Sequence, residues 1–539
     1  MGVSSTIASL QTLLLLVAML VVVALAAQRW RVTPPILMVI AGIAMALVPG
    51  LPRFELSPEF VLLFVLPPVI YTAGVAMSWR EFHFNLRLIT LLAFGCVVFT
   101  ACAVAAALHY LLGWQWGVAF VLGAIVAPPD VVAPLAIARR LGLPRRLLVV
   151  LEGEGLANDA TALILYRFAV LSISTGAFSM TKAGGTFVLI VIGEIFFGIG
   201  VGWLSLRLRQ WAQNPRVEIT LSLMTPYLAY WIPEHIGGSG VLATIAAGLY
   251  VSWNGPQLIP AATRLQGIFF WDLIIYLIEG FVFLITGLQA RTLIEKAHDF
   301  PLGELLLVTA ITAAIAILAR FVWIYPAIYL PRWLIPPLAK RDPSPPWQHA
   351  FILGFTGVRG VVSLAAALAI PLTIDSGAPF PNRGAILFAT FGVIVITLIG
   401  QGLTLPAVIR WLGVNRQRKA EHRREQEAEL AARNEVIRAS RRHLKKIADE
   451  RKLSAKIVAL LNARHDHREG LIPSDLDEGF DLVRSSNDIR LELIATERDF
   501  LHDLLRDGKI TDESRRRLER DLDLEEATIL ARRESETPL

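Results

Sequence analysis

About thirteen apolar runs, each long enough to cross a bilayer, constrain the fold of this chain more than any other feature of its sequence. Lipid offers the backbone no hydrogen-bond partners, so runs of this length are stable in a bilayer as helices. We therefore predict an all-α, polytopic membrane protein. The spans are expected near residues 7–27, 33–49, 58–78, 88–112, 116–140, 146–172, 184–211, 216–233, 239–253, 261–290, 302–331, 348–372 and 384–412.

The composition divides the chain into two parts. Up to about Gly413 the apolar runs follow one another closely, whereas the remainder is rich in charged residues and helix formers. We predict a transmembrane domain over residues 1–413 and a cytosolic helical tail over residues 414–539, with a regulatory or dimerising role. No basic residue precedes the first apolar run, so we interpret that run as a retained span.

The predicted tail begins with a basic segment that extends to Lys452, and its sparse apolar positions are typical of a mostly solvated helix. A break is expected at 470–474, and amphipathic helices are expected near 489–505 and 512–533. Thr511 is the predicted N-cap of the last helix, because its hydroxyl can accept a hydrogen bond from an amide of the first turn. The sequence of the tail contains no phosphate-binding glycine loop, metal-ligand spacing or nucleic-acid motif.

The basic residues between spans predict the orientation of the membrane domain. Fifteen Lys and Arg residues lie in one alternate set of loops, and five lie in the other set. Since cytoplasmic loops carry the excess of basic residues, the first set is predicted to be cytosolic. This places the N-terminus outside and, with an odd number of spans, the C-terminal tail inside.

Two predicted spans contain helix-breaking residues. The fifth reads VLGAIVAPPDVVAPLAIARR, with Asp130 next to Pro129, and the twelfth reads AFILGFTGVRGVVSLAAALAIP, with three glycines around Arg359. Interrupted spans at corresponding places in two halves of a chain are typical of a transporter binding site. Their offset of seven spans predicts an inverted repeat of spans 1–6 and 8–13, with the seventh span as the connector.

The sixth span holds the most polar segment of the membrane domain, LEGEGLANDATALILY at 151–166. It contains Glu152, Glu154, Asn158 and Asp159. Each carboxylate at membrane depth costs roughly a few kcal/mol or more, so three within eight residues indicate a function. Because a helix has 3.6 residues per turn, Glu154 and Asn158 share a face, and Asp159 lies one step around it.

Asp159 is the strongest candidate for an ion-carrying group. A mid-membrane carboxylate can hold a proton or a hard monovalent cation, but it is unfavourable when it is charged and has neither bound. Because the proton and the cation compete for the same carboxylate, each leaves only when the other replaces it, which is an exchange mechanism. The alternative is a carboxylate paired with an arginine for packing. Asp130 is the second candidate, since carbonyls freed at Pro129 are good Na⁺ ligands, although a capping role is the alternative. The predicted cation and proton site thus contains Asp159, Asp130, Asn158, Pro129 and Glu154.

The remaining intramembrane charges have predicted structural or pathway roles. Arg320, deep in the eleventh span, requires a partner; Glu154 is one candidate, and we favour a structural pair over direct ion ligation by Glu154. Arg359 is expected where the broken helices cross, balancing charge at the helix ends and helping to exclude a second cation. Glu279 is expected in a cytosolic access path or a subunit interface.

The sequence gives less information about the roles of three further charged residues. Glu152 is assigned to the same access path as Glu279. For Glu194, in the seventh span, a functional and a structural role stay equally open. Arg167 lies about two turns from the outer end of its span, and we expect its side chain to extend to the lipid headgroups.

Three motifs carry a resemblance to a known family. GEGLANDATAL resembles the GESLLNDATAL-type signature of the cation:proton antiporter-1 family, the bacterial and eukaryotic Na⁺/H⁺ exchangers. PPDVVAP is similar to the motif of the first interrupted span in that family, and GVRGVVSLA to the motif of the second. The three motifs occur in the family's order, and the likeness covers the whole membrane domain.

The resemblance implies several properties of the chain. The family has thirteen spans, forms homodimers, and moves a core bundle against a dimerisation bundle in an elevator-like way. It implies that Asp159, with Asp130, carries the ion, and that Glu154 and Arg320 form an ion pair. The Asn158–Asp159 pair resembles the electroneutral members, which exchange one cation for one proton.

The chain departs from the family pattern at two places. Most members have Ser where this chain has Gly155, and many have Thr-Asp-Pro where it has Pro129-Asp130-Val131. In the family the serine hydroxyl helps to bind the cation. The choice of ion is therefore not predicted by the motifs.

The sequence favours a non-enzymatic secondary antiporter of the bacterial inner membrane that exchanges Na⁺, Li⁺ or K⁺ for H⁺ without a cofactor and contributes to pH homeostasis. K⁺/H⁺ exchange is the nearest alternative. An ion channel would need a pore filter, and no repeated pore loop is present in the sequence. An organic-anion transporter is disfavoured because carboxylates outnumber arginines in the candidate site.

Overall fold

The structure is a computed structural model, and its backbone is described over residues 2–30, 32–49, 56–175, 180–470, 478–507 and 509–536. The chain divides into two compact units, Met1–Asn415 and Arg416–Leu539. This boundary lies close to the one that we place at residue 413 from composition. The regulatory or dimerising role of the second unit stays a prediction.

The first unit is built of helices, most of them joined by short turns. Its α-helices are α1 (Gly2–Trp30), α2 (Pro34–Ala46), α3 (Leu66–Ala76), α4 (Trp79–Thr90), α5 (Val97–Leu112), α6 (Trp116–Val126), α7 (Val132–Leu141), α8 (Arg145–Thr175), α9 (Met180–Ala212), α10 (Pro215–His235), α11 (Val241–Leu258), α12 (Ala261–Lys296), α13 (Leu302–Leu334), α14 (Pro336–Arg341), α15 (Trp347–Phe355), α16 (Val361–Leu368), α17 (Arg383–Val395) and α18 (Gly402–Leu412). Three π-helical segments, Phe60–Val65, Leu91–Cys96 and Ile396–Gln401, continue or join these helices without a break in the chain direction.

The predicted spans coincide with helices or helix pairs of this unit. Among the described residues, six continuous helices are long and apolar enough to cross a membrane: Trp79–Leu112, Arg145–Ser174, Gly184–Ala212, Ala261–Lys296, Leu302–Leu334 and Arg383–Leu412. Shorter apolar helices cover Leu14–Trp30, Pro34–Ala46, Phe60–Ala76 and Trp116–Val126. The all-helical class is confirmed, whereas the number of crossings and the inverted repeat stay predictions.

Small residues let the helices approach each other closely. Gly42 of α2 faces Gly287 of α12, and a Cβ built on either glycine would lie 2.8 Å from the other's Cα. Real Cβ atoms do not come within 3.0 Å of such neighbours, so alanine would push the two helices apart. Close backbone approach through small residues is the usual way in which apolar helices associate where water supplies no hydrophobic driving force. This contact fixes α12, which carries Glu279, against α2.

Both predicted interruptions are present as breaks between two helices. The chain leaves the helix between α6 and α7 over residues 127–131, and again between α15 and α16 over residues 356–360. Consecutive prolines at 128 and 129 explain the first break, because each removes a backbone donor and clashes with the preceding turn. The two breaks cross, since the amide of Asp130 donates to the carbonyl of Val358 at 2.6 Å.

The second unit contains the helices α19 (Asn415–Arg451), α20 (Ala455–Gly470), α21 (Glu478–Arg506) and α22 (Asp512–Glu536). The predicted N-cap is confirmed, because the amide of Ser514 donates to Thr511 Oγ1 at 3.2 Å. The long basic helix ends at Arg451, and Lys452, directly after it, has a positive φ of 49°. A further helix that we did not predict, α20, follows. Residues 471–477, which include part of the predicted break, lie outside the described residues.

An exposed ion-pair network joins the last two helices. Arg490 of α21 donates to both carboxylate oxygens of Glu525 on α22, at 2.7 and 2.8 Å. These bonds hold the pKa of the Glu525 carboxyl below its usual range. The buried residues Ile494 and Ile529 lie on the same two helices, so α21 and α22 form an antiparallel pair with a small apolar seam.

Candidate functional site

The site is built where the two helix breaks cross. Asp130 lies at the end of the first break, and its Oδ1 accepts from the amide of Val132 at 2.9 Å, which caps the first turn of α7. Its side chain rests on Gly360 at the start of α16, where a Cβ would lie 2.5 Å from Asp130 Cβ. A side chain at 360 would therefore displace the carboxylate. Asp130 therefore does cap α7, the alternative role predicted from the sequence, but only with Oδ1. Its Oδ2 takes no part in the capping bond.

The continuous helix α8 passes beside the first break and is joined to it by Asn158. Asn158 is fully buried, and its Nδ2 donates to the carbonyl of Pro129 at 2.6 Å. That carbonyl is free to accept because the following turn of helix is absent at the prolines. Within the described residues, the buried Oδ1 of Asn158 has no hydrogen-bond partner. The bond fixes α8 so that the next residue, Asp159, faces Asp130 across the same space.

A cavity of about 560 Å³ contains both aspartates in its wall. Pro129, Val131 and Gly155 line it next to them. A cavity of this volume has room for water beside the carboxylates, so we expect an ion to reach Asp130 and Asp159 with part of its hydration shell. The structure thus brings together Asp159, Asp130 and Pro129 at one cavity, with Asn158 bonded directly behind it.

Glu154 and Arg320 form a buried ion pair away from the cavity wall. Arg320 Nη2 donates to Glu154 Oε2 at 2.8 Å and Nη1 to Oε1 at 2.5 Å, and both side chains are about 1% exposed or less. Arg320 Nε also donates to the carbonyl of Leu353 on α15 at 2.9 Å. The pair therefore fixes α8, α13 and α15 relative to one another, and Glu154 is not among the residues that line the cavity.

Arg359 lies inside the crossing and bonds to backbone carbonyls. Its Nε donates to Val126 O at 2.9 Å, at the end of α6, and its Nη2 donates to Ala316 O at 3.2 Å on α13. Its Nη1 donates to Gly357 O, and its backbone amide to Thr397 Oγ1 at 2.9 Å. A positive charge at the C-terminal end of α6 compensates the carbonyls that the break leaves unpaired.

Glu152 and Glu279 lie in the same cavity wall as the aspartates. Glu152 Oε1 accepts from Arg139 Nη2 at 2.6 Å, and the Arg139 side chain is more than half exposed, so this pair lies at the cavity mouth. Glu279 of α12 lines the wall opposite α8.

Several polar residues of the cavity were not predicted from the sequence, among them a carboxylate and a hydroxyl. Asp272 and Ser363 both contribute to its lining. Asp272 precedes Glu279 by seven residues, which places both carboxylates on one face of α12, and that spacing was a usable signal. Ser363 is the serine of the GVRGVVSLA motif, but a single serine in an apolar helix is too common to be a signal.

Arg167 does not extend to lipid headgroups as expected. Its guanidinium donates to the Glu234 carboxylate and to the carbonyl of Gly238, both at the end of α10. The expectation was wrong because a sequence does not reveal which acidic group lies across the helix interface. The bonds join the C-terminal half of α8 to the α10–α11 turn.

Glu194 caps a helix and does not line the cavity. Its Oε1 accepts from the amides of Ser239 and Gly240 at 2.5 and 3.2 Å, and its Oε2 accepts from Ser239 Oγ at 3.2 Å. These amides open α11, where backbone donors lack intrahelical partners. A buried carboxylate that accepts three bonds at a helix N-terminus has a structural role.

We expect Glu194→Ala to destabilise the protein by about 2 kcal/mol or more, because three donors to a buried charged group lose their acceptor. The measurement is the melting temperature of the purified protein in detergent, with ion exchange measured in parallel. Glu194→Gln is the matched control, since it keeps one acceptor and should fall between wild type and the alanine variant. A normal melting temperature together with lost exchange would instead assign Glu194 to the transport path.

The whole first unit is similar to known exchangers. Residues 15–411 match the family model described as sodium/hydrogen exchanger, transmembrane. The chain is 34% identical over 541 residues to an uncharacterized Na⁺/H⁺ exchanger of Mycobacterium tuberculosis (strain H37Rv), with 98% of each chain covered. It is 34% identical over 411 residues to the Na⁺/H⁺ antiporter ApNhaP of Aphanothece halophytica, which covers 76% of this chain and 74% of that protein.

A solved structure has the same fold. The sodium proton antiporter MjNhaP1 of Methanocaldococcus jannaschii at pH 8 superposes with a TM-score of 0.58, at 16% identity, over 75% of this chain and 99% of that one. At this identity the likeness concerns the fold alone. The family match covers well over half of the chain and agrees with the relatives in sequence. The chain therefore belongs to the family of transmembrane sodium/hydrogen exchangers, the cation:proton antiporters that its motifs resemble.

Proposed function

We propose that this protein is a secondary active antiporter that exchanges a monovalent cation, foremost Na⁺, for H⁺. The observation that carries the proposal is the position of Asp130 and Asp159 at one cavity where two broken helices cross. Carboxylate and carbonyl oxygens suit an alkali cation, and the same carboxylates accept protons.

Exchange follows from competition at Asp159. A carboxylate in a poorly solvated wall is unfavourable when charged and unoccupied, so the cation leaves as the proton arrives. Asp130 adds a second set of oxygens across the cavity, with one oxygen committed to capping α7. Pro129 contributes a backbone carbonyl that Asn158 already engages, which leaves its second lone pair for the ion.

A one-to-one, electroneutral stoichiometry fits the chemistry of position 158. Asn158 uses its amide nitrogen as a donor to Pro129 O, a bond that a charged carboxylate could not make. A single ionisable group, Asp159, then carries either one cation or one proton in each half-cycle. Voltage should therefore not change the exchange rate.

The arginines hold the arrangement and are not ion ligands in this proposal. Arg320 neutralises Glu154 in a bidentate pair, and Arg359 is committed to carbonyls at the crossing. The positive charge of Arg359 near the crossing would also disfavour a second cation there. Five carboxylates and one arginine line the cavity, which disfavours an organic anion as the substrate.

Access to the aspartates is proposed to run along the cavity past Glu279 and Glu152. These carboxylates lower the electrostatic energy of an incoming cation, and the Arg139–Glu152 pair lies at the mouth. The basic residues between spans support a cytosolic location for this mouth, with the N-terminus outside and the tail in the cytosol.

The larger-scale features of the family complete the proposal. We expect a homodimer in the bacterial plasma membrane, thirteen crossings with an inverted repeat, and an elevator-type movement that carries the site between the two sides. The second unit is proposed to regulate or to help dimerise the membrane part.

Potassium exchange is the second candidate for the same site. A relative from Bacillus pumilus, 30% identical over 495 residues and covering 88% of this chain and 71% of that protein, is named a sodium, potassium, lithium and rubidium/H⁺ antiporter. The cavity has a volume of about 560 Å³, so larger ions are not excluded by size. A channel is less well supported, because the polar groups gather at one crossing and do not form a continuous file.

The deciding experiment uses proteoliposomes that contain the purified protein and a pH dye, with Na⁺, Li⁺ and K⁺ added in turn at clamped voltage. Proton movement with Na⁺ preferred and no voltage dependence supports the proposal. A K⁺ preference moves the physiological role to potassium balance. Absence of proton movement with every cation contradicts an antiporter for these ions.

Removing residues after Arg416 should leave measurable exchange, because the cavity and every residue that lines it belong to the first unit. The measurement is cation-dependent proton movement in the same liposomes. The elution volume of the purified truncated protein serves as the control for folding. Complete loss of exchange in a well-folded truncation would make the tail part of the transport machinery.

A further inference from the structure

Gly155 and Val131 are fitted to each other in the wall of the ion cavity. A Cβ built on Gly155 would overlap Val131 Cγ2 and lie 2.9 Å from Cγ1 and 3.1 Å from Cβ. Real Cβ atoms do not come closer than 3.0 Å to such neighbours. Valine is β-branched and has few rotamers, so it cannot easily swing aside. Position 155 therefore accepts only glycine while Val131 is present.

The fitted pair lies between the two carboxylates of the site. Val131 follows Asp130 directly, and Gly155 precedes Asp159 by four residues, so it occupies the same face of α8 one turn away. The space that a side-chain oxygen at 155 would occupy is filled by a methyl group. Neither Val131 nor Gly155 carries a side-chain oxygen, so this pair offers the ion no side-chain ligand.

The neighbouring oxygens of the site are already partly engaged. Asp130 Oδ1 accepts from the amide of Val132, and the carbonyl of Pro129 accepts from Asn158 with one of its two lone pairs. Water in the cavity can fill the empty ligand position at little cost. An ion that keeps water is discriminated less by size than one surrounded by protein oxygens, because the number and field of the ligands determine alkali-ion selectivity.

We propose that the Val131–Gly155 contact is a determinant of cation selectivity in this protein: it keeps one part of the cavity wall apolar, so that the ion stays partly hydrated and the preference for Na⁺ over K⁺ is weaker than with a side-chain oxygen at this place. The inference rests on the proposed antiport. According to this inference, the packing of Val131 against Gly155 influences which ion is bound, although neither side chain has an atom that could bind a cation.

Val131→Thr tests the inference with the smallest change, since threonine has the shape of valine and replaces one methyl group by a hydroxyl. We expect the ratio of apparent affinities for Na⁺ over K⁺ to rise by about tenfold, the effect of about 1.4 kcal/mol, which is the net contribution expected of one well-placed oxygen. Affinities are measured from proton movement in proteoliposomes as each cation is titrated. Val131→Ala is the control, because it opens the wall without adding an oxygen and should leave the ratio near that of the wild type.

A second test places the hydroxyl at position 155, on α8. Gly155→Ser alone should lower the melting temperature, because its Cβ meets Val131, and adding Val131→Ala should restore stability and raise the Na⁺ preference. Gly155→Ala with Val131→Ala is the matched control, since it has the same backbone and no hydroxyl. A rise in the ratio in the serine pair but not in the alanine pair supports the inference.

The outcomes separate this inference from the proposed function. Wild-type protein that moves no protons with any cation would overturn the antiport itself. Wild-type exchange with the same Na⁺ to K⁺ ratio in Val131→Thr and in both double variants would overturn the selectivity role alone. The ratio of affinities for Na⁺ over K⁺ can also be measured without transport, from the shift of the melting temperature in detergent as each cation is added. A variant that folds but does not transport therefore still tests the selectivity role.

Discussion

Asp159→Asn is expected to reduce cation-driven proton exchange to the level of empty liposomes. Asparagine keeps the shape of the side chain but can neither take up a proton nor neutralise a cation, so both half-reactions lose their carrier. Asp130 cannot substitute for it, because one of its oxygens caps α7 and its side chain is held against Gly360. The measurement is proton movement after addition of Na⁺, Li⁺ or K⁺, at matched protein density.

The fold should tolerate this change. Asp159 faces the cavity and does not hold two helices together, whereas its neighbour Asn158 makes the bond to the first break. We expect a melting temperature close to that of the wild type. Glu194→Gln is the matched control, since it neutralises a buried carboxylate away from the cavity and should retain exchange. Near-normal exchange in Asp159→Asn would remove this residue from the mechanism.

The sequence predicted those features of the site that depend on residues within one segment of the chain. Runs of about twenty apolar residues indicate the spans because nothing else satisfies the backbone in lipid. Pro128 and Pro129 predict the first break, since proline removes donors wherever the chain places it. The cluster at 151–166 indicates the functional helix because charges at that depth are costly.

The remaining features depend on contacts between helices that are far apart in sequence. Glu194 has the same sequence signature as Glu279, yet one caps α11 and the other lines the cavity. Arg167 has a partner on α10 that no periodicity identifies. The fit of Val131 against Gly155 depends on the distance between α8 and the first break, which is a property of the packed molecule.

The crossing of the breaks also explains why charge and packing cannot be varied independently at this site. Arg359 donates to carbonyls of α6 and α13, and Asp130 is bonded to Val358 through its amide. Moving either break therefore changes hydrogen bonds on the other. These shared bonds favour the proposed elevator-type movement, in which the crossing would move as a body and its ligands would not rearrange.

Arg320→Ala should destabilise the protein strongly while changing cation affinity little. Removing the guanidinium leaves Glu154 charged, buried and without its bidentate partner, and breaking a buried pair from one side costs about 3–5 kcal/mol. The bond to Leu353 O is lost as well, which loosens α15 next to the second break. The melting temperature in detergent and the apparent Na⁺ affinity are measured on the same preparation.

A double variant separates charge from packing at this pair. Arg320→Met with Glu154→Leu removes both charges and keeps much of the volume, so it should be clearly more stable than Arg320→Ala. Exchange by this double variant would mean that Glu154 holds helices and is not an ion ligand, in agreement with its position away from the cavity wall. An unchanged melting temperature in Arg320→Ala, together with a large loss of Na⁺ affinity, would reverse these roles. Glu154 would then act on the ion itself, and the pair would be part of the binding site.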